Sequence, residues 1–566
     1  MNAPADLPDL LRQLADLSDV RGASLEAHDL RRAAAAVDSL GPDGTARLTR
    51  LARRGRLHLH DAIVPPDTEW RIREILAEGA QEVLRRARTS LPALFRHLLD
   101  AAAIDAAEAR ALARLDVLTL SDLELALHDG RARSALSHAG ASRLDALLPS
   151  LLEQRETMVL GRAWDLLESL LTLLAGASPP LPLFEPAGDV RRSEPFVTGI
   201  VLVAASESPA RVLEAVCALL ESGTFHHRGS SRAIVGFRGT EVDFRISEPV
   251  ARGTVLFVAT GANRHVAAVL GRNPSQDPCP SEADLYARAG LVFVPPELRD
   301  GSDEIEAAAR GTLPSLVNRT DIHGDLHMHT TYSDGRDSVA AMVRECVSLG
   351  YEYLAITDHS QSAAASRTLG RDDIARQRDE IDRARQAFPQ IRILHGVEVD
   401  ILCDGRLDFP DRLLERFDIV LASLHERCGH DGRRLTSRCL GALRHPLVTI
   451  FTHPLNRIPG QRGPYPLDFE RVFEVAAETA TALEVDGAPG HLDLDGAHAR
   501  LAVRAGATLA VDSDCHRARS LERQMRLGVG TARRGWVEPV HVLNARPLDE
   551  VLAFIARKRN PSPTEP

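Results

Sequence analysis

The chain's 566 residues exceed what one hydrophobic core accommodates, so two to four domains are expected. Its 44% hydrophobic and 26% charged content is that of an ordinary soluble globular protein, and no apolar run is long enough to span a bilayer, which excludes a helical membrane protein. A net charge of −11 argues against broad nonspecific nucleic-acid binding while leaving room for a local basic groove.

The amino terminus, Met1 to Asp9, is acidic and Pro-rich and lacks the basic-then-apolar pattern of a signal peptide, so a cytoplasmic location is expected. Residues 1–155 read as an all-α module. Leu7, Leu10, Leu11, Leu14 and Leu17 recur at helical spacing, as do Ile72, Ile75 and Leu76. A further helix is expected over 156–176, ended by the Pro-rich stretch Ser178–Pro186. Gly199–Ala204 then reads as a buried strand, followed by a helix over 208–222. Ala233–Phe237 and Thr240–Ile246 alternate like paired strands, and Val255–Ala259 reads as another apolar strand. Residues 180–260 are thus expected to form a small α/β sheet domain, with 261–318 a mixed segment completing a unit of 156–318. From 319 to 566, strands and helices alternate. The expected strands are Gly324–His329, Tyr353–Thr357, Ile393–Val399, Ile419–Leu424, Val448–Thr452, Thr481–Val485 and Thr508–Val511. About seven β-α units of this kind predict a distorted (β/α)7 barrel.

The seven cysteines are scattered and form no CxxC pair, so neither a disulfide framework nor a cysteine zinc ribbon is expected. Lys558 is the only lysine, so no upstream lysine can serve as a Schiff-base nucleophile.

The chemistry concentrates at the ends of the expected barrel strands. In Asp325-Leu326-His327-Met328-His329, strand alternation points His327 and His329 the same way, so two imidazoles can share a metal ion. Later strands end in Asp358-His359, Glu398, His425, His453 and Asp514-Cys515-His516, and the loop after the first strand adds Asp334. In a parallel barrel these ends meet at one face. Clustered titratable groups there cost desolvation and repulsion unless a cation pairs them.

This constellation resembles the PHP (polymerase and histidinol phosphatase) domain, through the motifs DLHMHTTYSDG, AITDHS, GVEVDILCDGRLDFPD, IVLASLH, FTHPLNR and DSDCH. The resemblance implies His327, His329, Glu398 and Asp514 at a first metal. Glu398 would bridge to a second metal held by His425 and His453, and Asp334, His359 and His516 would hold a third. Imidazole and carboxylate ligands suit Mn²⁺, Zn²⁺ or Fe²⁺. Arg457 is a candidate for binding substrate phosphate, and Asp358 for orienting a ligand histidine. His323, His430, Cys428 and Cys515 are expected to be structural or solvent-facing.

The region before the barrel resembles a bacterial family X DNA polymerase. RRAA at Arg31–Ala34 is similar to its amino-terminal helices, AGDVRR at Ala187–Arg192 to the opening of its palm, and TEVDFRI at Thr240–Ile246 to the strand of its third catalytic aspartate. Arg191 and Arg192 are candidates for touching backbone phosphate. The family's Gly-Asp-x-Asp is replaced by Thr198-Gly199-Ile200-Val201, leaving Asp243 alone. One carboxylate cannot position two metal ions for nucleotidyl transfer, so an inactive polymerase domain is expected. The stretches matching the family's DNA-gripping hairpins, Ala101–Glu108 and His138–Ala141, lack the Gly-x-Gly turn. The resemblance implies a metal-dependent phosphoesterase acting on DNA 3′ ends in repair, as a 3′–5′ exonuclease with 3′-end cleaning. A small-molecule phosphatase of the histidinol-phosphatase type, an active polymerase and a non-enzymatic DNA-end scaffold are the alternatives.

Overall fold

The computed structural model describes residues 6–53, 66–220, 223–273, 275, 277–363 and 365–560. The helical module folds as its leucine spacing dictates. Leu7, Leu10, Leu11, Leu14 and Leu17 are buried on the helix Leu7–Val20, which packs along Ser24–Ser39. Ile72 and Ile75 close that core, and a second core gathers Leu94, Phe95, Leu112, Leu123 and Leu144. The hairpin turns without Gly-x-Gly are completed by other means. At the first, Ala102 takes a left-handed φ of 51°, a conformation that costs a non-glycine residue roughly 1–2 kcal/mol. At the second, Ser137 caps the helix His138–Glu153, and Ser137 donates to the Glu108 carboxylate from its N–H at 3.1 Å and its hydroxyl at 2.5 Å. The same carboxylate packs against Gly140 too closely for a Cβ, which sets a negative charge over the helix start, where an anion would otherwise bind.

The middle sheet has five strands: β1 (Glu185–Ala187), β2 (Ile200–Ala205), β3 (Thr224–Arg228), β4 (Arg232–Phe237) and β5 (Thr240–Ser247), in the order β1-β2-β5-β4-β3. Val255–Ala259 is not a strand. It lies inside a helix, Arg252–Thr260, which buries Leu256, Phe257 and Thr260 at helical spacing and seats Gly253 on the Ser281 backbone. A five-residue apolar run carries no periodicity that separates the two outcomes.

The carboxy-terminal domain is built on seven parallel strands: β6 (Gly324–Asp325), β7 (Tyr353–Ile356), β8 (Arg392–Asp400), β9 (Ile419–Ser423), β10 (Ile450–Phe451), β11 (Ala482–Asp486) and β12 (Leu509–Asp512). They pair in sequence order, as the β-α alternation predicts. β6 and β12 are tied together at the seam. The Leu326 N–H donates to Asp512 at 2.8 Å, the His329 N–H to the Cys515 carbonyl at 2.9 Å, and the Asn544 amide to the Gly324 and Val511 carbonyls at 2.9 and 2.6 Å. Leu326, Tyr353, Leu394, Leu421 and Ile450 fill the barrel interior, and Phe554 and Ile555 of the last helix plug its lower end. Cys403 and Cys428 are disulfide-bonded. They follow β8 and β9, which are neighbours, so their loops meet; scattered spacing alone concealed that adjacency. No helix among the described residues is long and apolar enough to cross a membrane.

The palm-like sheet keeps one of three expected carboxylates, and that one is occupied. The β2–β5 register sets Val201 beside Asp243. Asp243 accepts from Arg232 at 2.9 and 2.7 Å and from Arg245 at 2.9 Å, while Asp122, from the helix Leu120–His128, accepts from Arg232 at 2.7 Å and Arg245 at 3.1 Å. Burial by itself would raise both carboxyls, yet the two arginines hold both below the ordinary carboxylate range. The cluster therefore clamps the helical module to the sheet. Arg232→Ala would leave buried Asp243 and half-buried Asp122 to share Arg245 alone, and a loss of about 3–5 kcal/mol is expected in urea unfolding. A loss under about 1 kcal/mol would show that water, not the arginine, satisfies them.

Candidate metal centre

The barrel mouth collects nine side chains from six strand ends and the loop after β6. His327 and His329 are fully buried, with their Nε2 atoms 3.1 Å apart, as strand alternation requires. Asp514 Oδ1 lies 2.9 Å from His329 Nε2 and 3.6 Å from His327 Nε2. Glu398, 1% exposed at the end of β8, is the centre of the cluster. Its Oε2 sits 2.5 Å from His359 Nδ1, 3.5 Å from His327 Nε2 and 3.6 Å from His329 Nε2. Its Oε1 sits 3.0 Å from His453 Nε2 and 3.5 Å from His425 Nε2. Asp334 Oδ1 lies 3.1 Å from His516 Nε2 and 3.7 Å from His359 Nε2.

Three overlapping groups could each hold an ion: His327, His329 and Asp514; His359, Glu398 and His425; and His329, Asp334, His359 and His516. Eight of the nine sequence-predicted ligands fall in these groups, and His453 joins them at the mouth through Glu398 Oε1. His359 reaches both Glu398 and Asp334, so it stands between two of the groups rather than only in the last.

The donor set fits cations of the Mn²⁺, Zn²⁺ or Fe²⁺ kind. Glu398 Oε2 and His359 Nδ1 are buried 2.5 Å apart, yet neither has a hydrogen-bond partner. Lone pairs converging without donors between them are what a cation would satisfy. The electrostatics agree. Burial lowers His329, and His359 and His516 push it further, to about 3. Burial would raise Glu398, but His359, His327 and His425 hold it well below the ordinary carboxylate range. Burial would lower His516, but Asp514 and Asp334 raise it to about 9.

A set of buried carboxylates orients these ligands. Glu484, in mid-β11, accepts from His327 Nδ1 at 2.6 Å and from the His453 N–H at 2.7 Å. That fixes the His327 ring with Nε2 facing the cluster and secures His453 at its left-handed φ of 27°. Asp400 takes His425 Nδ1 at 2.8 Å. Asp358 does not orient His359. It instead accepts from the Thr330 and Ser333 N–H groups at 2.7 and 3.0 Å, fastening the loop that follows His329.

Sequence reading passed over Asp486, His491 and Glu484. Asp486 and His491 group with Asp514, and the His491 ring stacks on His453 with centroids 5.3 Å apart. Asp486 carries the same signal as the others, a carboxylate at a strand end; His491 and Glu484 carry none.

The candidate phosphate-binding arginines are engaged internally. Arg457 donates to the Leu492 carbonyl at 3.0 Å and to Asp495 at 3.2 Å. Arg191 is paired with Glu282 at 2.7 Å, and Arg192 donates to the Thr260 carbonyl and to Asp189, each at 2.7 Å. His323 pairs with Glu352 at 2.8 Å, away from the cluster, and Cys515 is buried.

A family model described as PHP domain matches residues 325–441. The chain is 36% identical over 394 residues to the DNA polymerase/3′-5′ exonuclease PolX of Bacillus subtilis (strain 168), covering 66% of this chain and 69% of that protein. It is 32% identical over 203 residues to a probable phosphatase of Caldanaerobacter subterraneus subsp. tengcongensis, covering 34% of this chain and 75% of that protein. A probable phosphatase of Syntrophotalea carbinolica is 29% identical over 242 residues, 41% of this chain and 95% of its own length.

The Glu484 contacts generate a prediction. Glu484→Gln keeps the shape but weakens the hold on His327, so metal affinity should fall about 10–100-fold with the fold intact. Metal titration alongside circular dichroism checks this, and unchanged affinity would remove Glu484 from the positioning role.

Proposed function

Because the chain belongs to the PolX family, bacterial family X DNA polymerases carrying a PHP domain, we propose that its barrel removes nucleotides from DNA 3′ ends as a 3′–5′ exonuclease in repair, while its palm is silent. Metal-dependent phosphoester hydrolysis is the activity class; the DNA 3′ end is the substrate assigned to it. The observation that carries the reading is the convergence of nine His, Asp and Glu side chains at the barrel mouth, five of the histidines on Glu398.

In this reading His327, His329, Glu398 and Asp514 hold one ion, His425 and His453 join Glu398 at a second, and Asp334, His359 and His516 serve a third. Bound ions of this kind supply Lewis acidity toward a phosphate and lower the pKa of water toward neutrality. The chain's own residues do the positioning. Glu484 holds His327 and His453 in register, Asp400 holds His425, and Asp358 holds the loop behind His329. The silent palm is supported by Gly199 and Val201 where the family has aspartates, and by the arginine pairing of Asp243.

A second reading, a phosphatase for small phosphate esters, is favoured by one observation: the Glu108 carboxylate lies over the second hairpin, where a DNA phosphate would bind. A 5′-labelled oligonucleotide, single-stranded and in primer–template form, separates the two when incubated with Mn²⁺ and nucleotides. A ladder of shortened products is expected, abolished by EDTA and by His327→Ala. Shortening of neither form, with turnover of a phosphomonoester, would transfer the assignment to the second reading. Extension of the primer would refute the silent palm.

A further inference from the structure

The arginines that sequence reading singled out are engaged internally, but four others are not. Arg336, Arg344, Arg517 and Arg519 line a cavity of about 480 Å³ together with Asp337 and Glu345. All four arginines are exposed, and none of their guanidinium groups has a hydrogen-bond or ion-pair partner among the described residues. In a chain of net charge −11, whose other arginines are widely paired, four free guanidinium groups around one hollow are a local excess of positive charge.

Their placement ties them to the metal centre. Arg336 stands two residues after Asp334, Arg517 follows His516 directly, and Arg519 lies three residues after it. The two loops are laced together: the Arg336 N–H donates to the His516 carbonyl at 2.8 Å, and the Ala518 N–H donates to Asp337 at 2.8 Å. Asp334 and His516 meet at 3.1 Å on the same two loops. The cavity is therefore held beside these ligands, while Arg344 reaches it from the helix Val339–Ser348.

We infer that this cavity is a backbone-phosphate subsite: it grips an internal phosphodiester of the nucleic-acid strand whose terminal linkage lies at the metal centre. The inference rests on the exonuclease reading and specifies how that site tells a strand from a small ester. Guanidinium forks match phosphate oxygens bidentately, and a free phosphomonoester has no second phosphate to place there. Contacts to phosphate alone carry no base information, so the grip is sequence-independent.

The test uses the full-length, Mn²⁺-loaded protein and a triple variant, Arg336→Ala/Arg517→Ala/Arg519→Ala, with the corresponding triple Arg→Lys variant as a control of charge and fold. Kinetics are measured on a 5′-labelled single-stranded oligonucleotide and on bis(p-nitrophenyl) phosphate. Binding is measured separately by fluorescence anisotropy with labelled oligonucleotide across a salt series. The alanine variant should raise KM for the oligonucleotide about tenfold or more, far beyond any change on the small diester. Its binding should lose about 0.7 units of salt slope, for the one phosphate the cavity grips. The lysine variant should recover most of both. An oligonucleotide KM and salt slope equal to wild type in the alanine variant would overturn the subsite. If wild type shortens no oligonucleotide, the exonuclease reading fails, and anisotropy decides the subsite alone. Wild-type binding lost in the alanine variant sustains it; equal binding, or none by wild type, overturns it.

Discussion

The rest of the molecule is arranged around one electrostatic problem, the Glu398 carboxylate. It is buried at the end of β8 with one oxygen facing His359, His327 and His329 and the other facing His453 and His425. Removing a carboxylate from water costs several kcal/mol, which positive charge beside it offsets, whether on the surrounding imidazoles or on a bound cation. The arrangement persists only with a positive charge at its centre. Parallel strands suit this because each strand end contributes its ligand without crowding another backbone, and left-handed residues such as His453 and Asp514 are tolerated at the rim.

The palm meets the same problem in the opposite way. Asp243 is nearly as buried as Glu398 and Asp122 half-buried beside it, but their compensation is covalently part of the chain, supplied by Arg232 and Arg245. Two guanidinium charges on one carboxylate already neutralise it and crowd the place an exchangeable cation would take. One fold thus contains an acidic site left open to metal and another closed by arginine. The difference is legible in which atoms lack partners: Glu398 Oε2 has no hydrogen bond, while both oxygens of Asp243 do.

Residues whose chemistry is bound to strand ends were readable in the sequence, because alternation and parallel topology convert linear spacing into convergence. His327, His329, Glu398, His425, His453 and Asp514 follow from that rule, and Asp486 obeys it as well although it was passed over. Glu484 was not readable, because a carboxylate in mid-strand looks like any other until the neighbouring strand shows that it faces His327 and His453. Arg457 misled for the same reason: its sequence position beside the His453 motif says nothing about the Leu492 carbonyl that holds it. Val255–Ala259 became helix because what covers an apolar run, not the run itself, selects its conformation.

A silent palm still contributes to the barrel's chemistry, and Leu492 shows how. The loop after β11 carries His491, stacked on His453, and Asp493, which accepts from the Leu455 N–H at 3.0 Å. Between them Leu492, 1% exposed at a left-handed φ of 45°, is buried against the palm's hydrophobic core at Leu160 and Leu167, beside Leu527 of the barrel. Pro489 of the same loop packs on Gly161, where a Cβ would collide with it, and Arg523 donates to the Gly161 carbonyl at 2.7 Å. A leucine in a strained backbone keeps that position only while the apolar surface it buries is present. The palm supplies that surface. Taking it away would release the loop that bears His491 and positions the segment behind His453, so the barrel depends on a polymerase-like domain for packing even where that domain has no carboxylates left for chemistry.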